Sequence, residues 1–468
     1  MKVIRRRIRL LAALFVGLFG LTGAYFCYSV YFYGGRWVAN PHNPRISAQK
    51  KAVVMGSVTD REGTPLAWTD ETGQRRYSAS RDTRLAVSQV VGDSEGKVST
   101  GVDTFHAQIL LGFKTGLMER LGDAVLGRTH RGDDVQLTVS ERLSRAVSSA
   151  FPKGKRGAVV VMNWKSGEIL SMVSLPQFDP VDVDSALEDQ QAGALVNRCT
   201  QGLYPPGSTF KIVTLASALQ HLPDAEAFAF DCTGYYPVGS YSVTEQSAHG
   251  LMDLSSAFTN SCNTAFAALS QELGYESLGA TAEAFAFNEN FLFDDLIVYN
   301  SSYPIDGLSA EDLAWSSIGQ GRVLATPLHM ALIACAVANG GRMPEPRLLR
   351  QVVSPEGRVR PLSAGHGSRS VMTAQIAGRV ESEMIRVVER GTGTRAALGN
   401  GYVVAGKTGT AEASDDKNVA AHAWFVGYVT SGRAPYAVAV LVENGGSGGR
   451  VAAPIARRAL QKAIDLGL

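Results

Sequence analysis

Tyr204-Pro-Pro-Gly-Ser-Thr-Phe-Lys-Ile-Val-Thr-Leu-Ala-Ser-Ala-Leu219 is the stretch from which the rest of the chain can be read. Two prolines and a glycine form a rigid turn. A serine follows, and then an apolar run with no further proline or glycine. That order is the signature of a helix start. Lys211 then lies one turn beyond Ser208 on the same helix face. A serine at the positive end of a helix, with an amine one turn away, is the arrangement of a nucleophile and its base.

Ser-x-x-Lys spacing alone is cheap. It recurs at Ser47-Lys50, Ser94-Lys97 and Ser414-Lys417. Two further motifs narrow the choice. Ser261-Cys262-Asn263 is the sole Ser-x-Asn in the chain, whereas Lys407-Thr408-Gly409 has a second copy at Lys114-Thr115-Gly116. Lys114 precedes Ser261 and Ser414 follows it. An ordered set must therefore end at Lys407 and begin at Ser47, Ser94 or Ser208. Ser47 and Ser94 sit in polar stretches with no apolar run behind them, so Ser208 is selected.

The chemistry follows from residue types. A serine hydroxyl is a weak nucleophile and needs a base. Lysine titrates near ~10.4 in free peptides, so it serves as base only where burial or another cation depresses that value. Lys407 supplies such a cation. Ser261 can relay a proton to a leaving amine, and Asn263 offers an amide to hold Lys211 or a substrate peptide. Gly406 and Gly409 let a substrate backbone lie against an extended strand. The backbone N–H groups of Ser208 and Thr410 are the candidate oxyanion donors.

In this order the three motifs resemble those of the penicillin-binding transpeptidases and the serine β-lactamases, a superfamily for which such a triplet is diagnostic. Cys262 stands where an acidic residue is more usual. Gly157-Ala-Val-Val-Val-Met162, Ser166-Gly-Glu-Ile-Leu170 and His422-Ala-Trp-Phe-Val-Gly427 resemble class B members, and the likeness runs over roughly residues 136–468. It implies attack by Ser208 on the D-Ala-D-Ala end of a peptidoglycan stem peptide, loss of D-Ala, and transfer of the acyl group to a neighbouring amine. Lys407, Thr408, Gly409 and Thr410 would grip the donor, and β-lactams would acylate the same serine. No cofactor or metal is implied. A polytopic glycan polymerase of the elongation or division machinery is the partner the family suggests.

Met1 to Arg9 carries five cations, and Leu10 to Phe32 is a run of 23 uncharged residues. At 1.5 Å per residue such a helix spans roughly 34 Å, enough for a hydrocarbon core of ~30 Å. Basic residues ahead of the span and aromatics at its far end predict a cytoplasmic N-terminus and a single-pass anchor, with the remainder outside the membrane. A cleaved signal peptide is the rival. It is disfavoured by the length of the apolar stretch and by the lack of a small-residue cleavage site after Tyr25–Tyr33.

Beyond the anchor, 45% hydrophobic content and a net charge of +2 fit a folded ectodomain and leave no electrostatic footprint for nucleic acid. The expected organisation is an anchor over 1–33, a polar, turn-rich stalk over 34–135 and a transpeptidase domain over 136–468. No segment between anchor and catalytic domain is long enough for glycan polymerisation. Expected elements are a helix over Val139–Ser149 and strands over Gly157–Met162 and Glu168–Val173. A mostly helical middle over 208–345 follows, then strands over Tyr402–Thr408, Ala423–Thr430 and Tyr436–Glu443, and a helix over Ala452–Ile464. Five strands from both chain ends with helices between them imply an α+β fold, one antiparallel sheet sandwiched by helices.

Some features have plainer readings. His422 reads as a packed strand residue, and Gly445-Gly-Ser-Gly-Gly449 as a flexible loop, since no Lys-Ser/Thr follows it. Gly391-Thr-Gly-Thr394, a turn before the Lys407 strand, reads as structural in preference to a lining of the cleft. Cys199 and Cys232 flank the nucleophile helix, and an extracytoplasmic face permits a disulfide; buried free thiols are the preferred reading. A D-Ala-D-Ala carboxypeptidase or a β-lactamase would use the same triplet with water as acceptor. No deacylating glutamate is identifiable by motif. A non-catalytic scaffold would be expected to lose motif residues, and none is lost.

Overall fold

The computed structural model describes residues 2–38, 53–112, 130–188, 193–245, 247–307, 309–360, 367–414, 416 and 418–468. Ser47, Lys50, Lys114-Thr115-Gly116 and Lys417, parts of three rival motifs, lie outside the described residues.

Strands Gly157–Asn163, Ile169–Leu175, Val404–Ala411, His422–Val429 and Tyr436–Val442 form one antiparallel sheet. Its spatial order begins at the edge with Val404–Ala411 and runs through His422–Val429, Tyr436–Val442 and Gly157–Asn163 to Ile169–Leu175. The C-terminal meander is thus completed by a hairpin that begins 247 residues before it, with Val438 opposite Val161 and Val440 opposite Val159.

Side chains alternate between two cores, as the strand period requires. Val159, Val161, Phe425, Val438 and Val440 face a core shared with Ala452, Ile455 and Leu460 of the terminal helix Gly448–Leu466. Val160, Met162, Trp424, Val426, Ala439 and Leu441 face the other core, which takes in the helix Pro327–Ala338, apolar but for His329. Both faces are covered. This is why these strands read as unbroken apolar runs rather than alternating ones.

The N-terminal region is less separate than its composition suggests. Strands Val58–Thr59, Pro65–Thr69 and Arg75–Tyr77 share a sheet with Asp134–Leu137, which pairs on its other side with Leu349–Val353, itself paired with Val359–Arg360. The expected boundary at 135 therefore falls inside a strand. Its partner comes from more than 200 residues further on, a pairing no local pattern announces. Val58, Leu66, Val87 and Leu110 belong to the same apolar cluster as the catalytic-domain residues Phe210 and Ile212. The middle of the chain is also less helical than expected. Ala229–Cys232, Tyr235–Val238, Tyr241–Thr244 and Gly250–Asp253 are short strands that lead up to the Ser-x-Asn motif.

The helix Lys2–Val38 contains the apolar span Ile4–Val30, long enough by length and composition to cross a membrane.

Candidate active site

Ser208 lies in a 3-10 turn, Gly207–Phe210, which runs directly into the helix Lys211–His221. Gly207 has φ of 54°, and a Cβ there would lie 3.0 Å from both the Ala411 Cβ and the Thr410 carbonyl oxygen. Glycine is required both for the left-handed backbone and for this close approach. The turn is thereby pressed against the edge strand Val404–Ala411. Trp424 Nε1 donates to Pro205 O at 3.0 Å, and Gly207 N–H donates to Gly319 O at 2.9 Å. The Ser208 N–H belongs to the first turn of a helix, where no earlier helical carbonyl is available to it.

Lys211 is fully buried, as is every residue that follows it from Ile212 to Ala218, so the helix is enclosed on all sides here. Its Nζ donates to Ser261 O and to Asn263 Oδ1, each at 2.7 Å, and sits 5.2 Å from the Phe266 ring centroid. Burial brings its pKa down to about 8, against a partial upward pull from the Glu245 carboxylate. Roughly a tenth of such a lysine is the free amine at pH 7.

Ser261 holds φ of 61°. A non-glycine residue in that region carries strain on the order of 1 kcal/mol. Here the strained turn is the one that delivers the Ser261 carbonyl to Lys211. Asn263 then opens the helix Asn263–Ala284, capped by Cys262. Its backbone N–H donates to the Glu245 carboxylate, a residue sequence reasoning passed over.

Lys407 lies on the edge strand, fully buried, with Nζ 3.3 Å from Thr408 O and 5.5 Å from the Phe258 ring centroid. Burial, and after it the charge on Lys211, hold its pKa well below the ordinary lysine range. The Thr408 hydroxyl is 2.5 Å from that of Thr392. Gly409 has no room for a side chain: a Cβ would meet Pro206 O, Thr209 Cγ2 and Trp424 Cβ, each at 3.0 Å. Thr410 is exposed at the end of this stretch.

These contacts bring the three motifs together. The Ser208 turn abuts Gly409–Ala411, Lys211 holds Ser261 and Asn263, and the charge on Lys211 lowers the pKa of Lys407, whereas the depression of Lys211 itself comes from burial rather than from Lys407. Three neighbours were not foreseen, Glu245, Phe258 and Phe266, and a fourth, Thr392, comes from the turn read as structural rather than cleft-lining. Thr392 lay within a turn whose Gly-Thr-Gly pattern carried the only available hint, whereas Glu245 had no signal at all.

The glycine-rich segment 445–449 differs from its reading as a flexible loop. Gly448 starts the terminal helix, and a Cβ on it would lie 2.3 Å from both Gly409 O and Trp424 O. Gly448 and Gly449 serve close packing against Gly409, Trp424 and Thr392, whereas Gly446, with φ of 81°, has open space around it and keeps the loop character expected. His422 is the structural residue expected. Its Nδ1 accepts from Asn444 N at 3.1 Å, and its ring meets that of Tyr204 edge-on. Cys199 and Cys232 are both buried free thiols; the Cys199 sulfur points to Val173 O at 3.3 Å, and that of Cys232 lies 3.5 Å from the Cys262 sulfur.

Comparison with known proteins agrees with this geometry. The family profile described as "Penicillin binding protein transpeptidase domain" matches residues 157–461. The peptidoglycan D,D-transpeptidase PbpA of Mycolicibacterium smegmatis is 33% identical over 469 residues, covering 92% of this chain and 93% of that protein. Among solved structures, an acyl-enzyme complex of penicillin-binding protein A from M. tuberculosis superposes with a TM-score of 0.81 at 30% identity, covering 89% of this chain and 99% of that one. The D,D-transpeptidase domain of a peptidoglycan glycosyltransferase from Eggerthella lenta gives 0.76 at 32% identity, covering 89% and 99%. With its motifs assembled on the matching fold and its kinship extending over nearly the whole length of a class B relative, the chain belongs to the penicillin-binding protein transpeptidase family.

Proposed function

We propose that this protein is a monofunctional peptidoglycan D,D-transpeptidase that crosslinks stem peptides through an acyl-enzyme on Ser208. The observation that carries the reading is Lys211: a buried lysine with a depressed pKa, held by Ser261 and Asn263 one helical turn from the serine. In the first half-reaction Lys211 takes the Ser208 proton, and Oγ attacks the carbonyl carbon of the penultimate D-Ala. The C–N bond to the terminal D-Ala breaks, and Ser261 passes a proton to the departing amine. In the second half-reaction an amine of a neighbouring stem attacks the ester and frees Ser208.

Lys407, Thr408 and Thr410 bind the terminal carboxylate of the donor. The N–H groups of Ser208 and Thr410 stabilise the oxyanion, each donor of this kind being worth ~10²–10³ in rate. The free edge of strand Val404–Ala411 suits an extended stem peptide, which adds to the sheet by backbone hydrogen bonds. A β-lactam enters the same cleft and leaves Ser208 acylated, as penicillin-binding protein A of M. tuberculosis is in its acyl-enzyme complexes.

The apolar helix supports a single-pass anchor with the N-terminus in the cytoplasm and the catalytic domain outside. The region 34–135 is suited to holding the cleft away from the membrane and to touching a polytopic glycan polymerase. Protease added to cells stripped of any outer barrier should digest the catalytic domain and spare the N-terminus.

The decisive experiment supplies full-length protein with lipid-linked disaccharide-pentapeptide, with and without a membrane polymerase. Crosslinked stems should form only with the polymerase present, and penicillin should block that step alone. Free D-Ala without crosslinks would instead favour the carboxypeptidase reading. Glycan made by this protein alone would overturn the proposal.

A further inference from the structure

The helices Glu141–Ala150 and Gly448–Leu466 pack together on the face of the five-stranded sheet opposite the nucleophile helix. Leu143 and Val147 of the first share a core with Ala452, Ile455 and Leu460 of the second, whereas Ile212 and Leu215 belong to the core across the sheet. Between the outer surfaces of the two helices runs a groove. It consists of two hollows, of about 680 and 550 Å³, which share Ala146, Ser149 and Lys462. Arg395, Arg457 and Arg458 line one hollow, Arg142 and Arg145 the other, and Lys462 both. The acids on its walls are Asp82 and Asp465.

These cations lack counter-charges. Arg142, Arg395, Arg457, Arg458 and Lys462 form no ion pair among the described residues, and Arg145 reaches Glu141 only at 3.7 Å. Asp465 accepts instead from Gln461 Nε2 at 2.8 Å. Arginines elsewhere are treated differently: Arg76, Arg84, Arg347 and Arg379 each hold a carboxylate at 2.6–2.8 Å. The groove also gathers like charges on single helix faces. Arg458 and Lys462 are four residues apart on one helix, and Arg142 and Arg145 three apart on the other. Like charges at those spacings repel and weaken a helix. Since the whole chain carries a net charge of only +2, the groove is a local concentration of positive field.

From this unneutralised groove we infer a binding site for a linear phosphodiester polymer, an anionic chain that lies between the two helices and supplies the missing counter-charge. Shape and lining select the occupant. A concave channel between helices admits a thread, whereas a flat lipid surface cannot enter it. Its apolar lining is Leu85, Ala146, Ala150 and Pro454. These small groups offer an acidic peptide no pocket for the large side chains that anchor protein partners. Guanidinium groups outnumber the single lysine, and their paired N–H donors match phosphate oxygens. A polymer held there fastens the back of the catalytic domain to an anionic envelope while the cleft on the other face stays open. That location outside the membrane rests on the topology proposed above; the binding itself does not.

The test titrates full-length protein in detergent into fluorophore-tagged synthetic poly(glycerol phosphate) and follows fluorescence anisotropy. Binding should saturate, and it should weaken roughly a hundredfold between about 50 and 200 mM salt, as about five contacts to a flexible polyanion imply. Arg457→Glu/Arg458→Glu, confirmed as folded by circular dichroism, should weaken it by about tenfold or more. Arg342→Glu/Arg358→Glu makes the same charge change outside the groove and should alter binding less than about twofold. Saturating polymer should leave the rate of penicillin acylation unchanged, because the groove and Ser208 lie on opposite faces of the sheet. Absence of binding overturns the site, as do equal losses in the two double variants. A polymer that blocks acylation occupies the cleft instead, and also overturns it. Displacement of the tagged polymer by soluble short-chain phosphatidylglycerol, or by poly-L-glutamate, at lower concentration than untagged polymer requires overturns the phosphodiester in favour of a lipid or an acidic protein. The binding readouts need neither stem peptide nor polymerase, so their failure leaves the transpeptidase reading standing.

Discussion

Ser94-Glu-Gly-Lys97 and Ser208-Thr-Phe-Lys211 share one spacing, and their lysines meet opposite surroundings. Lys97 lies at the surface, its ammonium 2.7 Å from the Glu95 carboxylate and 2.5 Å from that of Asp184. Hydrogen bonds to these two acids hold its proton above the ordinary lysine range. The segment itself is a turn wrapped on Asp93, whose carboxylate accepts from the N–H groups of Glu95, Lys97 and Val98. Lys211 has no carboxylate against its ammonium among the described hydrogen bonds; it meets a carbonyl, an amide oxygen and an aromatic ring, fully out of water. Desolvation penalises the charged form there and lowers its pKa. A Ser-x-x-Lys spacing therefore suits a base only where the fold removes water and keeps carboxylates out of hydrogen-bond reach, as Glu245 is kept from Lys211.

The largest test of that contrast is the nucleophile itself. Ser208→Ala should abolish the penicillin adduct seen by intact mass spectrometry, whereas Ser94→Ala should leave a full adduct. An adduct that persists in Ser208→Ala would break the comparison at its root. The lysines come next. Lys211→Ala should slow acylation by ~10²–10⁴, the usual worth of a general base. Lys97→Ala should alter the rate less than about twofold, since exposed ion pairs contribute only ~0–1 kcal/mol, and then to stability. Near-normal acylation in Lys211→Ala would refute its role.

pH sharpens the same point. The free amine is the active form, so acylation should rise as pH passes through about 8 and level off above it. Glu245 pulls the pKa values of both Lys211 and Lys407 upward. Glu245→Gln should therefore move the rising limb to lower pH, measurable with a chromogenic β-lactam across a buffer series. A limb that stays in place or moves to higher pH would remove Glu245 from the site's electrostatics. Stability has a related sign. Between about 8 and the ordinary value of 10.5, the unfolded chain binds a proton that folded Lys211 has released, so this residue makes folding more favourable as pH rises through that window.

What could be read from the sequence was local. The Pro-Pro-Gly turn and its apolar run announced the nucleophile helix, and buried strands such as Tyr436–Val442 announced themselves as unbroken apolar runs. Motif order did the rest, because it constrains which distant segments must meet. Contacts set only by tertiary approach stayed hidden. Glu245 reaches Asn263 across a short-stranded region that composition reads as helical, and Asp134–Leu137 finds its partner at Leu349–Val353. Gly448 looked like loop because a glycine chosen for close packing and one chosen for flexibility have the same letter. Only the 2.3 Å approach to Gly409 O separates them.

The smallest effect expected lies at Thr392, whose hydroxyl meets that of Thr408 at 2.5 Å. Thr408 is almost buried and sits beside Lys407 on the edge strand, so its hydroxyl direction is set by whatever partner it has. Thr392→Val keeps the shape and removes that partner. A hydrogen bond of this kind contributes about 0.5–1.5 kcal/mol net, which converts to roughly a two- to twelvefold change. The loss should fall on binding of the donor carboxylate, since Thr408 touches neither Ser208 nor Lys211 in the described hydrogen bonds. The second-order rate constant for acylation should drop several-fold, while the pH of half-maximal rate stays where Lys211 sets it. Thr392→Ser, which restores the hydroxyl, should recover most of the rate. If valine moved the pH profile instead, Thr392 would be acting through the lysines, and the division between a carboxylate-binding strand and a proton-transfer helix would have to be redrawn.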